Sequence, residues 1–363
     1  MKALLLLLCR YPYDEKNRDE LAALMADVSD WNGLVTLINA HGITALAAYN
    51  LKESGLDKMI PDDAKAFLEK GYLQSVVRNS WLTERWKEVN SILSDAGISH
   101  ILLKGMALEH TLYGSLGLRQ MNDNDILIRR EDALRAWSLL KEKGFESKAL
   151  KSPLHRKILP DLGKHLPELY KAGYSLEIHT RLFDETIPDP DFYKSIFDKA
   201  VAITVNNIIA YVLPDDINIR FLVKHFTYHR LSGDCQLRLY NDIRLLDRDN
   251  PPEFPESFIY EPIQKSKPGF RKESYITSYK AIPNKYRLRF LAGDIFPSLD
   301  WMRERYRCSA MGAVMRYPGR LGKVWWVVGA GCWVLGAGCW LLGTGCWVAG
   351  CWVLVKGLGE GEI

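Results

Sequence analysis

Arg119-Gln120-Met121-Asn122-Asp123-Asn124-Asp125-Ile126-Leu127-Ile128 is the stretch on which the fold turns. Its second half is an apolar run of β type, and side chains on a strand alternate between faces with a period of two. Asp123 and Asp125 therefore share a face and can present both carboxylates to one pair of divalent ions. Upstream, Ile98-Ser99-His100-Ile101-Leu102-Leu103-Lys104-Gly105 reads as a strand that ends in Lys-Gly and runs into a helical pattern. Downstream, Tyr174-Ser175-Leu176-Glu177-Ile178-His179 is another strand-like run, and it carries a third acid, Glu177. A strand, a glycine turn opening a helix, an acid pair on a strand and a later acid together point to metal-assisted phosphoryl chemistry.

The arrangement resembles the polymerase-β-type nucleotidyltransferases, and more closely the uncharacterised bacterial nucleotidyltransferase family of that superfamily. That family's pattern runs Leu-Leu-Lys-Gly, a helix ending in Tyr, an Arg before Asp-x-Asp, then an acidic-x-His strand. The matching positions here are Leu102 to Gly105, Tyr113, Arg119, Asp123 with Asp125, and Glu177 with His179. Asp30-Trp31 followed by His41-Gly42 is similar to the family's N-terminal helical region. His225, His229 and Asn241-Asp242-Ile243 are similar to its C-terminal helical region, so the resemblance covers residues 1 to about 323. It implies Mg²⁺-dependent transfer of a nucleoside monophosphate from an NTP to a hydroxyl or phosphate acceptor, with pyrophosphate released.

Each site residue has a functional and a plain reading. Two-metal phosphoryl transfer needs carboxylates that hold the ions about 3.5–4 Å apart, and hard oxygen ligands suit Mg²⁺. Asp123 and Asp125 are the candidates to bridge two such ions, and Glu177 to hold the catalytic one and help deprotonate an acceptor hydroxyl. An isolated Asp-x-Asp is common on surface loops; its place on an apolar strand between Lys104-Gly105 and Glu177 gives it weight. At Gly105 a missing Cβ would let backbone N–H groups approach phosphate at a helix start. Much of the superfamily carries Gly-Gly or Gly-Ser there, so Lys104-Gly105 lacks one hydroxyl contact. Lys104 either adds a point charge to the triphosphate or is a surface lysine at a strand end. Arg119 either contacts phosphate or braces its loop. His179 faces the same side as Glu177 and touches substrate, orients that acid or makes a structural hydrogen bond. His225 and His229, four apart on an expected helix, have a zinc-compatible spacing, but no third ligand is evident and helix packing competes.

Outside the site the chain of 363 residues is long enough for two or more compact units. With 48 basic against 44 acidic residues and a net charge of +4, no concentrated basic face argues for RNA or DNA. A small molecule or a protein side chain is thus a better acceptor than an RNA end. Cys9, Cys235 and Cys308 are scattered and match neither a zinc ribbon nor a disulfide framework, so a reducing cytoplasm is expected. The apolar start, Leu4 to Leu8, is short and interrupted by Arg10, and reads as a first helix rather than a signal peptide.

In order, residues 1–97 read as an N-terminal helical region: Asp30 caps a helix, Pro61-Asp62-Asp63 opens a longer one, and Gly97 stops it. Residues 98–200 read as an α/β (α+β) core with a small mixed sheet. Its strands are expected at 98–103, 123–129, 163–171 and 174–180, with helices over 105–113 and 131–143. A Pro-rich turn, Ile187-Pro188-Asp189-Pro190, leads to a mostly helical region over 201–323. The tail, 324–363, is different in kind. Three heptapeptides of Gly-x-Gly-Cys-Trp type follow one another from Gly329, and no charge lies between Lys323 and Lys356. The period of seven suits a helix, and the length would let residues 324–355 contact or cross a membrane, tethering a cytoplasmic enzyme. A repeat expansion without function is the competing reading. For the whole chain, the rival to a nucleotidyltransferase is a non-catalytic nucleotide-binding or scaffold protein that retains the fold.

Overall fold

The structure, a computed structural model, describes residues 1–183 and 189–317. The tail at 324–363, with its expected membrane contact, and part of the turn at 187–190 lie outside the described residues. Among the described residues no helix is long and apolar enough to cross a membrane.

The chain forms two compact units, one of residues 1–150 and 154–290 and a second of residues 151–153 with 291 onward. The first unit carries every site residue named above. Its N-terminal part is helical, as the spacing predicts. The first helix, Lys2–Leu8, buries Leu4, Leu5 and Leu8. Asp30 caps Trp31–Ala40 by accepting from Gly33 N. The pattern after Pro61 becomes one helix of 34 residues, Asp62–Asp95, whose chain reverses at Gly97 with φ +68°. Leu82, Trp86, Val89 and Leu93 are fully buried along its second half. In the second unit, helices Leu299–Tyr306 and Ala310–Val314 follow a segment in which Ser298 N donates to Lys151 O at 2.7 Å.

The centre of the first unit is a seven-stranded mixed sheet. Its strands are β1 (His100–Leu103), β2 (Asn124–Ile128), β3 (Glu146–Ser147), β4 (Leu169–Lys171), β5 (Tyr174–His179), β6 (Val201–Val205) and β7 (Ile208–Val212). They lie in the order β3-β4-β5-β2-β1-β7-β6. β1 runs antiparallel to β2, while β5 is parallel to β2 and β7 parallel to β1. The expected extended stretch at 163–171 is mostly loop. Within it only Leu169–Lys171 is strand, with an isolated bridge from His165 to His179.

The hairpin β6–β7 extends the sheet past residue 200, where helices were expected. Its turn residues, Asn206 and Asn207, both have positive φ, +46° and +65°. That is the conformation a two-residue hairpin demands, and one that Asn tolerates. Helices follow at Asp215–Ser232 and Leu237–Leu246.

Alternation along the strands divides the core. Leu102, Ile126, Ile128, Leu176 and Ile178 join Leu82, Trp86 and Trp137 in one apolar cluster. Ile101, Leu103 and Leu127 join Ile217 and Phe221 of the helix Asp215–Ser232 in another. Asp125, Glu177 and His179 have the same parity as this second set, so they face the side covered by that helix. A third cluster unites the N-terminal helices with Leu222, Phe226, Leu237, Ile243 and Ile259. The two helical regions that flank the sheet therefore share one core, within which burying each large aliphatic side chain contributes about 1.5–3 kcal/mol.

Candidate active site

Strand register brings the acids together. Asp125 lies opposite Leu103 across the antiparallel pair and opposite Glu177 across the parallel pair. His179 follows Glu177 on the same face. The ligating atoms of Asp125, Glu177 and His179 all lie within 4.8 Å of one another. His179 Nε2 is 2.9 Å from Asp125 Oδ1 and 3.4 Å from Glu177 Oε2, while its buried Nδ1 has no hydrogen-bond partner. Asp123, just before β2, is outside this close set and open to solvent. Of the three expected metal ligands, then, Asp125 and Glu177 are brought together, and His179 stands closer to them than Asp123 does.

Lys104 is part of the same cluster. Its backbone has φ +47°, left-handed for a residue with a side chain, a conformation that costs free energy and collects at functional sites. The turn folds Nζ back to 2.7 Å from Asp125 Oδ1 and 3.6 Å from Glu177 Oε2, with the side chain only 16% exposed. It is not a surface lysine. Gly105 also has a packing use. A Cβ there would sit 2.9 Å from Met121 Cγ and 3.0 Å from Met121 Sδ, so the glycine makes room for Met121 against the start of the helix Lys104–Thr111.

These charges set one another's ionisation. Burial alone would raise the Asp125 carboxyl, but the Lys104 ammonium and the His179 hydrogen bond overcome it and hold the group well below the usual carboxylate range. Glu177 is lowered as well: burial opposes ionisation, and His179 and His165 outweigh it. For Lys104 desolvation is overcome by Asp125 and Glu177, and its ammonium is held above the usual lysine value. Asp123 goes the other way. Surrounding protein shields it even though solvent reaches it, and this desolvation with the negative charge of Asp125 pushes it up to about 6.

The loop that delivers Asp123 and Asp125 is gripped from both sides. One face of the helix Asp62–Asp95 holds it at successive turns. Ser75 Oγ donates to Gly117 O at 2.6 Å, Asn79 Nδ2 to Arg119 O at 2.9 Å and Arg78 Nη2 to Asn122 O at 2.7 Å. One turn on, Asn124 Nδ2 donates to Leu82 O at 3.2 Å and to the Tyr174 hydroxyl at 3.1 Å. The middle residue of Asp-Asn-Asp is thus a buried anchor on the face opposite the acids. From the other side the Glu109 carboxylate accepts from Gly117 N and Arg119 N.

Arg119 braces this loop. Its Nε lies 2.8 and 2.9 Å from the two carboxylate oxygens of Asp242, its Nη2 is 2.7 Å from Oδ2, and Nη1 donates to Gln120 O. Both side chains are buried, and Tyr113 donates its hydroxyl to Asp242 Oδ1 at 2.9 Å. The nucleotide-binding role expected of Arg119 is not what this geometry supports, because its guanidinium is already committed.

On the covering helix Phe221 stands between two imidazoles, 6.4 Å from the His179 ring and 6.2 Å from the His225 ring. Burial and the nearby Lys104 charge push His225 well below the usual histidine range. His225 packs edge-on against His229 at 4.4 Å, and His229 Nδ1 is 3.2 Å from Asp234. Among the described residues these two histidines belong to no three-ligand group. Arg238 and Asp242 were not expected at the site. Their partners in the acid-bearing loop, Gln120 and Arg119, lie more than a hundred residues away in sequence, and the family likeness at Asn241-Asp242-Ile243 does not by itself mark the contact.

Chemically, the cluster offers the carboxylates of buried Asp125 and half-buried Glu177, an imidazole and a paired ammonium, with the solvent-exposed Asp123 carboxyl just before the strand. No curated protein and no solved structure matches the chain. Residues 27–261 match the model of a family described as uncharacterised nucleotidyltransferase. The matched stretch holds the whole sheet, the acid cluster and the Arg119–Asp242 brace, and the chain belongs to that family.

Proposed function

We propose that the protein transfers a nucleoside monophosphate from an NTP to a hydroxyl or phosphate acceptor, releasing pyrophosphate, with Mg²⁺ at the acid cluster. The observation that carries this reading is the register pairing of Asp125 with Glu177, which joins two carboxylates from separate strands on one face. The donor set suits Mg²⁺: oxygens of Asp125 and Glu177, with Asp123 open to solvent to add another. When bound, such ions neutralise phosphate charge and stabilise attacking and leaving oxygens.

The chain's own residues do the rest. His179, donating through Nε2, keeps Asp125 ionised and fixes its orientation. Glu177, less buried than Asp125, is placed to take the proton of an acceptor hydroxyl. Lys104 trades its contact with Asp125 for the triphosphate, a move within the reach of a flexible four-carbon stem. The acceptor side is the covering helix Asp215–Ser232 and its neighbours. The near balance of charge favours a small molecule or a protein side chain over RNA. The reading includes a cytoplasmic site of action, where NTP and Mg²⁺ are available and the buried thiols of Cys9 and Cys235 stay reduced.

A second reading, a nucleotide-binding protein without turnover, draws on the Lys104–Asp125 contact, which already satisfies the acid. The test is calorimetric titration of the full chain with each NTP plus Mg²⁺, beside Asp125→Asn, followed by assay of pyrophosphate release with candidate acceptors. Metal-dependent binding of an NTP, lost in the variant, is expected. Absence of any NTP binding to the folded protein would overturn both readings, and binding with no pyrophosphate release from any acceptor class would favour the second.

A further inference from the structure

Arg238 is a half-buried cation whose hydrogen-bond partners are all neutral. It sits on the helix Leu237–Leu246. Nη1 donates to Gln120 O at 2.8 Å and Nη2 to Gln236 Oε1 at 2.9 Å. Nε is buried and has no partner. Among the described residues no carboxylate lies within ion-pair distance of it. Of the acids nearest in effect, Asp242 is held by Arg119 and Asp234 by His229 through one oxygen, while Asp123 acts on Arg238 from beyond ion-pair distance. A guanidinium partly withdrawn from water without an anion carries a cost, and an arriving anion recovers part of it.

Its location says which anion. The carbonyl of Gln120 accepts from both Arg119 and Arg238, and three residues later comes Asp123. Lys104 grips the strand end of this segment at Asp125, and Arg238 grips its loop end. The Asp123 carboxylate feels the positive charge of both. Gly42, with φ +65°, lies under the arginine, where a Cβ would meet Nε at 3.2 Å and Cδ at 3.3 Å. Room for the guanidinium is therefore built into the N-terminal region as well.

We propose that Arg238 binds the β- and γ-phosphates of the incoming nucleotide, and hence the departing pyrophosphate, at the loop end of the acid segment. This rests on the nucleotidyl-transfer reading and adds a residue to it. Arginine suits the task because its planar fork matches phosphate oxygens two at a time.

The test is calorimetric titration of the full chain with inorganic tripolyphosphate in EDTA, which removes the divalent ions from the comparison. Four proteins are compared: wild type, Arg238→Met, Arg238→Gln and Asp125→Asn. Arg238→Gln retains a donor for Gln120 O, so it guards against a folding defect in the methionine variant. Loss of a charge-assisted pair should weaken tripolyphosphate binding at least about tenfold in both Arg238 variants. Asp125→Asn, which removes a negative charge, should bind as tightly as wild type or more so. Binding by folded Arg238→Gln within about twofold of wild type would overturn the proposal, as would no tripolyphosphate binding by wild type. Either failure leaves the nucleotidyl-transfer reading to stand or fall on the Mg²⁺·NTP titration of Asp125→Asn. Equal dependence on Arg238 for AMP and for tripolyphosphate would assign the residue to a phosphate-bearing acceptor and overturn the β,γ assignment.

Discussion

Removing the negative half of the Arg119–Asp242 pair should destabilise the protein far more than removing both halves. The pair makes three contacts of 2.7–2.9 Å with both side chains almost entirely out of solvent, 6% and 1% exposed. Asp242 also accepts a hydrogen bond from the Tyr113 hydroxyl. Asp242→Asn leaves the Arg119 charge buried beside a neutral amide, and breaking one side of such a pair costs about 3–5 kcal/mol. With a urea m-value of about 3 kcal/mol/M, the unfolding midpoint should fall by about 1–1.7 M. Arg119→Met should cost less, because the carboxyl left behind can take up a proton. Arg119→Met with Asp242→Leu removes both charges and fills the volume with apolar groups, an exchange that is often near neutral. The double variant should therefore lie well above the sum of the singles, with a coupling of about 2–3 kcal/mol. Urea titration of the full chain by circular dichroism reads the four corners of the cycle, wild type, Arg119→Met, Asp242→Leu and the double variant, with Asp242→Asn beside them. A midpoint loss below about 0.3 M for Asp242→Asn, or simple additivity in the double, would refute the reasoning.

Two further perturbations follow from single positions. The Asp123 carboxyl is raised to about 6, so the folded chain keeps a proton that the unfolded chain releases near pH 4. That contribution is present at low pH and is lost as pH rises through about 6. In EDTA, Asp123→Asn should gain on wild type in urea midpoint between about pH 4 and pH 7, modestly because solvent screens the group; a gap that does not change with pH would contradict this. Gly117 has φ +75°, and a Cβ there would lie 2.6 Å from Val76 Cγ2 and 2.7 Å from its Cα. Gly117→Ala should cost about 2–4 kcal/mol through backbone strain and displacement of the helix. Gly97→Ala, at φ +68° with nothing within 4 Å, should cost only about 1–2 kcal/mol. Equal losses in thermal melts would show that the Val76 contact does not matter.

What the chain discloses locally and what it conceals divide along physical lines. Asp125 was legible because a strand's period of two is a local rule: Asp125 and Leu127 must share a face wherever the strand ends up, whereas Asp123 lies just before the strand, where that rule no longer binds it. Helix caps at Asp30 and the stop at Gly97 are local in the same way. The hairpin over 201–212 was legible too. Val-Ala-Ile-Thr-Val, two asparagines that tolerate positive φ, then Ile-Ile-Ala-Tyr-Val is a hairpin signal, although the helical pattern that follows it dominates this half of the chain. Arg119 is another matter. A sequence places it before an acid pair, where phosphate contact and bracing are equally plausible, and the choice is made by Asp242, 123 residues further on. Lys104 was ambiguous for a related reason, since whether a strand-end lysine points outward depends on the φ of one residue, here +47°. The residues whose roles could not be read are those whose charge is balanced across the fold. Their partners arrive only when the N-terminal and C-terminal helices close over the sheet in one shared core. It follows that substitutions in that shared core, at Leu237 or Ile243, should disturb the site through Arg119 and Arg238 before they disturb the strand pairing of Asp125 with Glu177.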